Sequence, residues 1–118
     1  MYQQVPKTAS SDTLRYASLS TQYAQKLSEA IPEKNITELT QEDINLAKNL
    51  FIANAVHDGL YAAKVFLNVV EENLGKNFLE EFFHTLHLEA GPGRSINMSF
   101  WQDLIYYKDI NPKYMHEI

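Results

Sequence analysis

Three residues in the last third of the chain could bind a metal ion, namely Glu81, His84 and His87. Their three-residue spacing brings them together on one side of a helix, and Glu-x-x-His supplies ligands in di-metal carboxylate bundles. Such bundles need a second Glu-x-x-His on a facing helix, and the chain has none. We therefore expect no metal or other cofactor, and the favoured alternative is a polar or half-buried strip of an amphipathic helix.

A second polar group, in the middle of the chain, could form a small cleft: Asn54, His57, Asp58 and Tyr61. A carboxylate beside an imidazole can orient it as a general base. No nucleophile accompanies the pair, because the chain lacks cysteine and has no Gly-x-Ser-x-Gly sequence. The alternative is a polar strip where a helix bends, with Asp58 capping its second half.

The third candidate is an aromatic segment near the end of the chain. Tryptophan and tyrosine are enriched in binding hot spots. Helical spacing predicts a partner-binding face formed by Trp101, Leu104, Ile105, Tyr107 and Lys108. The alternative is that this helix packs as a lid on the core.

The elements that carry these groups all have helical periodicity. We predict a loose lead-in over residues 1–9, then one helical domain over 10–118, with helices near 10–30, 41–74, 77–90 and 99–108. The expected helix N-caps are Thr40, Asn77 and Ser99. Residues 50–74 are apolar almost all round, which is typical of a buried helix.

Within that central segment the polar residues recur at helical period, at positions 54, 57/58, 61, 64, 68 and 71/72. Either one helix spans 41–74 and exposes a single polar face to solvent, or Asp58 and Gly59 form a turn between two helices. The predicted fold is an all-α, irregular antiparallel bundle of four to five helices around this buried segment.

Composition excludes several function classes. The 118 residues contain no cysteine and carry a net charge of −5, which excludes disulfides and argues against nucleic-acid binding, since that needs a basic surface. No long apolar run or signal peptide is present, so we expect a cytoplasmic protein without a membrane span. The Asn- and Lys-rich composition and the apolar end at Tyr114–Ile118 suggest one domain of a larger bacterial protein.

These observations favour a non-catalytic protein-interaction module of the adaptor or effector type, whose partner and oligomeric state the sequence leaves open. The alternative is a small enzyme, or a ligand- or metal-binding domain, that uses His57 and Asp58 or the Glu81, His84 and His87 group.

Overall fold

The computed structural model describes residues 7–31 and 38–110, with side chains from Thr13 onward. Within these ranges the protein is all-α, as predicted, with no strand. Its helices are α1 (Lys7–Ala30), α2 (Gln41–Leu50), α3 (Leu60–Leu74), α4 (Lys76–Leu86) and α5 (Met98–Lys108). None of the described helices combines the length and apolar character needed to cross a membrane. The sequence predictions for residues 1–6, 32–37 and 111–118 lie outside the described residues.

The start of α2 is fixed locally, as its sequence predicts. The Thr40 hydroxyl accepts a hydrogen bond from the Asp43 backbone N–H at 3.3 Å, and the Asp43 carboxylate accepts one from the Thr40 N–H at 2.9 Å. Each side chain therefore satisfies a backbone donor that the first helical turn leaves unpaired.

The other predicted caps are wrong by two residues. Helix α4 begins at Lys76 directly after Gly75, so Asn77 lies inside it. Helix α5 begins at Met98, where the Asn97 side chain accepts a hydrogen bond from the Phe100 N–H at 3.1 Å. Asparagine is at least as good an N-cap as serine, and Asn97 takes the position expected for Ser99. Helix α1 likewise begins at Lys7, ahead of the predicted start.

The central segment consists of two helices. Gly59 has φ 105° and ψ 179°, a backbone region that is essentially restricted to glycine. Before this break, α2 widens into a π-helical turn, Phe51–Val56, in which the Asn54 amide donates to the Leu50 carbonyl at 2.9 Å. The break starts α3 in a new direction, with the Ala63 N–H bonded to the Gly59 carbonyl at 3.0 Å.

Helix α3 is the centre of the bundle and packs against α1, the π-helical turn, α4 and α5. Seven of its fifteen residues are buried, which confirms the predicted central position: Ala62, Ala63, Val65, Phe66, Leu67, Val69 and Val70. It runs antiparallel to α1, because Tyr23 contacts Asp58 at its start and Tyr16 contacts Asn68 further along. The first residue of α4 follows α3 after a single glycine.

A chain of aromatic contacts runs through the core. Phe66 on α3 lies 5.1 Å from Tyr23 on α1 and 5.3 Å from Phe51 in the π-helical turn, measured between ring centroids. Phe51 also contacts Phe82 on α4 at 5.6 Å. The neighbouring ring of Phe83 contacts Trp101 on α5 at 5.4 Å. Each described helix thus contributes an aromatic ring to one core, α2 through the π-helical turn that continues it.

Replacing Gly59 with alanine tests the break in the central segment. An added Cβ would meet no atom within 4 Å, so the cost is backbone strain alone, and we expect a loss of about 1–3 kcal/mol in the free energy of unfolding. Urea denaturation followed by circular dichroism measures this, with Glu72→Ala on exposed α3 surface as a control expected to stay within about 0.5 kcal/mol. A Gly59→Ala protein more stable than wild type would contradict the break.

Truncating Trp101 tests the core. The indole is fully buried, and we expect Trp101→Ala to lower the free energy of unfolding by about 3–5 kcal/mol. Tyr106→Ala on the same helix is the matched control, because Tyr106 is 90% exposed. Equal stability of the two variants by denaturant titration would show that α5 does not contribute to the core.

Candidate interaction site

Four polar residues of α3 form one line along the helix that stays at least partly exposed. We call this line the α3 polar strip, and it consists of Tyr61, Lys64, Asn68 and Glu71. The residues recur at steps of three and four, so they share one helix face. Side chains from α1 approach the strip on one side and side chains from α5 approach it on the other.

Asn68 joins the three helices. Its Nδ2 donates to the Tyr16 hydroxyl on α1 at 3.1 Å and to the Tyr107 hydroxyl on α5 at 2.9 Å. Its Oδ1 accepts from Lys108 Nζ at 2.8 Å. An ammonium group can only donate, so Oδ1 must face Lys108, and the amide nitrogen must then face the two tyrosines.

Lys108 ties α5 to the strip through a second contact, a salt bridge to Glu71. The Lys108 side chain is only 13% exposed. A charge removed from water to this extent needs a close partner, and here it has both the carboxylate and the Asn68 oxygen. The end of α5 is therefore held in one position relative to α3.

Two ammonium groups lie close to the Tyr107 ring. Lys64 Nζ is 4.9 Å from its centroid and Lys108 Nζ is 5.5 Å from it. Both distances fall within the range in which a cation is attracted by the face of an aromatic ring. Tyr107 is 43% exposed, so the ring is fixed by these contacts and still presents a surface.

A second pair of a cation and a tyrosine ring lies one helical turn of α3 before Lys64. There the Arg15 guanidinium on α1 is 4.3 Å from the centroid of the Tyr61 ring. Tyr61 is 37% exposed. Beside it an open cleft of about 350 Å³ lies between α1 and the start of α3, lined by Arg15, Ser18, Leu19, Asp58 and Ala62. Asp58, an exposed residue, is the one carboxylate among these lining residues.

Asp58 accepts a hydrogen bond of 3.4 Å from the hydroxyl of Tyr23. Burial raises the pKa of Tyr23 above its ordinary value of 10.0, and the Asp58 charge and hydrogen bond raise it further, while Arg15 opposes them. Each of the first three effects disfavours the phenolate. Tyr23 therefore remains neutral and donates to Asp58 at neutral pH.

The predicted partner-binding face of α5 divides between core and surface, and its buried part fits the alternative of a lid on the core. Trp101 and Leu104 are fully buried, because they lie on the side of α5 that packs on the core. Ile105 is half-buried against the same core. Of the predicted group only Tyr107 is exposed, and Lys108 is half-buried; both contact residues of the α3 polar strip.

Of the four residues predicted to form a polar cleft, the structure brings two together at one. Asp58 and Tyr61 lie at the cleft between α1 and α3. Asn54 bonds to its own helix, and His57 is exposed outside the residues that line the cleft. The sequence did not indicate Arg15 or Tyr16, which complete the site from α1, although the spacing of polar residues did locate Lys64 and Asn68.

The predicted metal ligands lie along α4 and the turn after it. Glu81 and His84 are exposed, and the His87 ring lies near that of Trp101, with centroids 6.4 Å apart and planes tilted by 32°. Within the described residues no group of three or more His, Asp or Glu side chains is arranged to hold a metal ion.

The pKa of Tyr23 gives a pH test of the cleft. A raised pKa in the folded state means that the stability from neutral Tyr23 is complete below pH 10.0 and is lost as the pH rises through the folded value. We expect Asp58→Asn to lower the pKa of Tyr23, and Asp103→Asn on exposed α5 surface to leave it unchanged. Tyrosinate absorbance, with Tyr23→Phe to assign the titration, measures this. A Tyr23 that titrates at its ordinary value in wild type would contradict the contact.

Comparison with family models, with curated proteins and with solved structures finds no match for this chain. Its function must therefore be inferred from the geometry of the α3 polar strip and its surroundings.

Proposed function

We propose that the protein is a non-catalytic protein-interaction module that binds its partner through the α3 polar strip and the side chains from α1 and α5 that flank it. The observation that carries this proposal is the pair of part-exposed rings, Tyr61 and Tyr107, each held against a cation. Tyrosine supplies a large amphipathic contact area with few rotatable bonds.

The order already present in the free protein supports this proposal. Binding costs free energy when side chains at an interface must be immobilised. The hydroxyl of Tyr107 is hydrogen-bonded to Asn68, and two ammonium groups contact its ring. Tyr61 is covered on one side by Arg15. Much of this immobilisation is therefore complete before a partner arrives.

The residue types also fit. Tyrosine and arginine are among the residues that contribute most to binding energy in protein interfaces. The site places Tyr16, Tyr61, Tyr107 and Arg15 on the surface of three neighbouring helices. This replaces the interface that the sequence suggested around Trp101, whose burial makes it part of the core.

The alternative, a small enzyme or ligand-binding domain, has weaker support. A general base built from His57 and Asp58 needs the imidazole within hydrogen-bond reach of the carboxylate. The hydrogen bond that Asp58 accepts comes instead from Tyr23. His84 and His87 face an exposed side of α4 and the Trp101 ring, respectively, and no second Glu-x-x-His faces them.

Partner capture from a lysate of the source cells tests the proposal. Tyr61→Ala and Tyr107→Ala should each weaken binding of the captured protein, since truncating a hot-spot residue costs about 2 kcal/mol or more, roughly 30-fold in Kd. Tyr106→Ala is the matched control, a fully surface-exposed tyrosine adjacent to Tyr107. The captured protein is identified by mass spectrometry, purified and titrated by calorimetry.

Two results would contradict the proposal. One is a partner that binds wild type and all three variants with the same Kd, which would place the interface elsewhere. The other is wild-type protein that retains nothing beyond what an unrelated helical protein retains.

A further inference from the structure

The two tyrosine hydroxyls beside Asn68 have protons with no acceptor in the described part of the protein. Each hydroxyl oxygen accepts a hydrogen bond from Asn68 Nδ2. A hydroxyl carries one proton of its own, and that proton must point away from the amide that donates to it. Tyr16 and Tyr107 thus present two O–H donors outward from one point on the surface.

The two donors lie close together. The hydroxyl oxygens of Tyr16 and Tyr107 lie 3.1 Å and 2.9 Å from the same nitrogen atom, so they are at most the sum of these distances apart, and the two oxygens of one carboxylate can bridge them. Carboxylates and phosphates can accept from two donors at once, and their charged oxygens make shorter and stronger hydrogen bonds than neutral oxygens do.

A positive charge accompanies the two donors. Lys64 Nζ lies over the Tyr107 ring, and among the described residues no carboxylate lies within 4.0 Å of it. Lys108 is paired with Glu71, so the balance of these three charges is one positive charge. That balance matches a carboxylate with its single negative charge, whereas a phosphate monoester carries about −1.5 to −2 near neutral pH.

The second cation lies one turn along α3. Arg15 covers Tyr61, and Tyr61 precedes Lys64 by three residues, a separation of about 4.5 Å along a helix. Arg15 and Lys64 thus each lie over a part-exposed tyrosine, on a chain whose net charge is −5. An extended segment with several carboxylates can contact both cations.

We propose that Tyr16, Tyr107 and Lys64 form a carboxylate-binding site that recognises an acidic segment of the partner protein, with Arg15 as a second contact. This proposal rests on the proposed function, because it assigns the chemistry of the partner that the α3 polar strip binds. Asn68 is the positioning residue, since its amide sets the direction of both hydroxyl groups.

Titration with hexaglutamate tests the site without knowledge of the partner. The side-chain amide signals of Asn68 in the two-dimensional amide NMR spectrum should shift saturably as hexaglutamate is added, and the shift should weaken as salt is raised. Hexaglutamine, which has the same length and no charge, should leave these signals in place. Equal shifts with both peptides would overturn the proposal, as would tighter binding of inorganic phosphate than of hexaglutamate.

Variants assign the binding to the hydroxyls. The double variant Tyr16→Phe and Tyr107→Phe keeps both rings and should weaken hexaglutamate binding at least tenfold, and Tyr106→Phe should not change it. Lys64→Gln leaves the hydroxyl network intact and should also weaken binding, which guards against misfolding of the double variant. Wild-type affinity in both the double variant and Lys64→Gln would overturn the site.

The two proposals can fail separately. Capture of a partner that depends on Tyr61 and Tyr107, with no hexaglutamate binding, would overturn the carboxylate site and leave the interaction surface in place. Hexaglutamate binding that depends on the hydroxyls, with no partner affected by Tyr61→Ala or Tyr107→Ala, would instead overturn the proposed function.

Discussion

The contact between Phe51 and Phe66 is the constraint on which the rest of the structure depends. Their ring centroids are 5.3 Å apart. In one continuous helix, residues separated by fifteen positions would be about 22 Å apart along the axis. The contact therefore requires the chain to turn between them, and Gly59 provides that turn with a backbone conformation that other residues rarely adopt. Once the two rings meet, α4 can pack Phe82 against both.

The outer face of α3 follows from the same arrangement. Because its buried residues face α1, α4 and the π-helical turn, its polar residues are left at the boundary with α1 and α5, where they meet polar groups from both. Asn68 makes three hydrogen bonds there. A half-buried side-chain amide whose donors and acceptor are nearly all hydrogen-bonded fixes the orientation of the groups around it. The core thus determines where the site lies, and the site in turn fastens the two flanking helices.

The sequence correctly predicted the features that depend on residues close together in the chain. The Thr40 cap, the all-α class, the central position of α3 and the spacing of its polar residues all follow from residues a few positions apart. The break at Gly59 stayed undecided because glycine costs only about 1 kcal/mol within a helix, so local propensity cannot choose between a continuous helix and a turn. The choice is made by the tertiary contact of Phe51 with Phe66.

The candidate site shows the same limit. Tyr16 and Asn68 are 52 residues apart in the chain, and neither periodicity nor composition brings α1 to that face of α3. Trp101, Leu104 and Lys108 share one face of α5, but the sequence left open whether that face meets a partner or the core. A row of aromatic and apolar side chains has the same spacing whether it faces a partner or the protein's own core.

The inward direction of that face also explains how core and site are coupled. Trp101, Leu104 and Lys108 recur at steps of three and four on α5, so burial of the indole turns Lys108 toward α3. The last residue of this face is Lys108, and its ammonium group contacts Glu71 and Asn68 on α3. Tyr107, adjacent to Lys108, is carried by the same docking to the Asn68 amide. Trp101 thus contributes to the proposed binding surface only indirectly, because it positions the helix that supplies Tyr107 and Lys108.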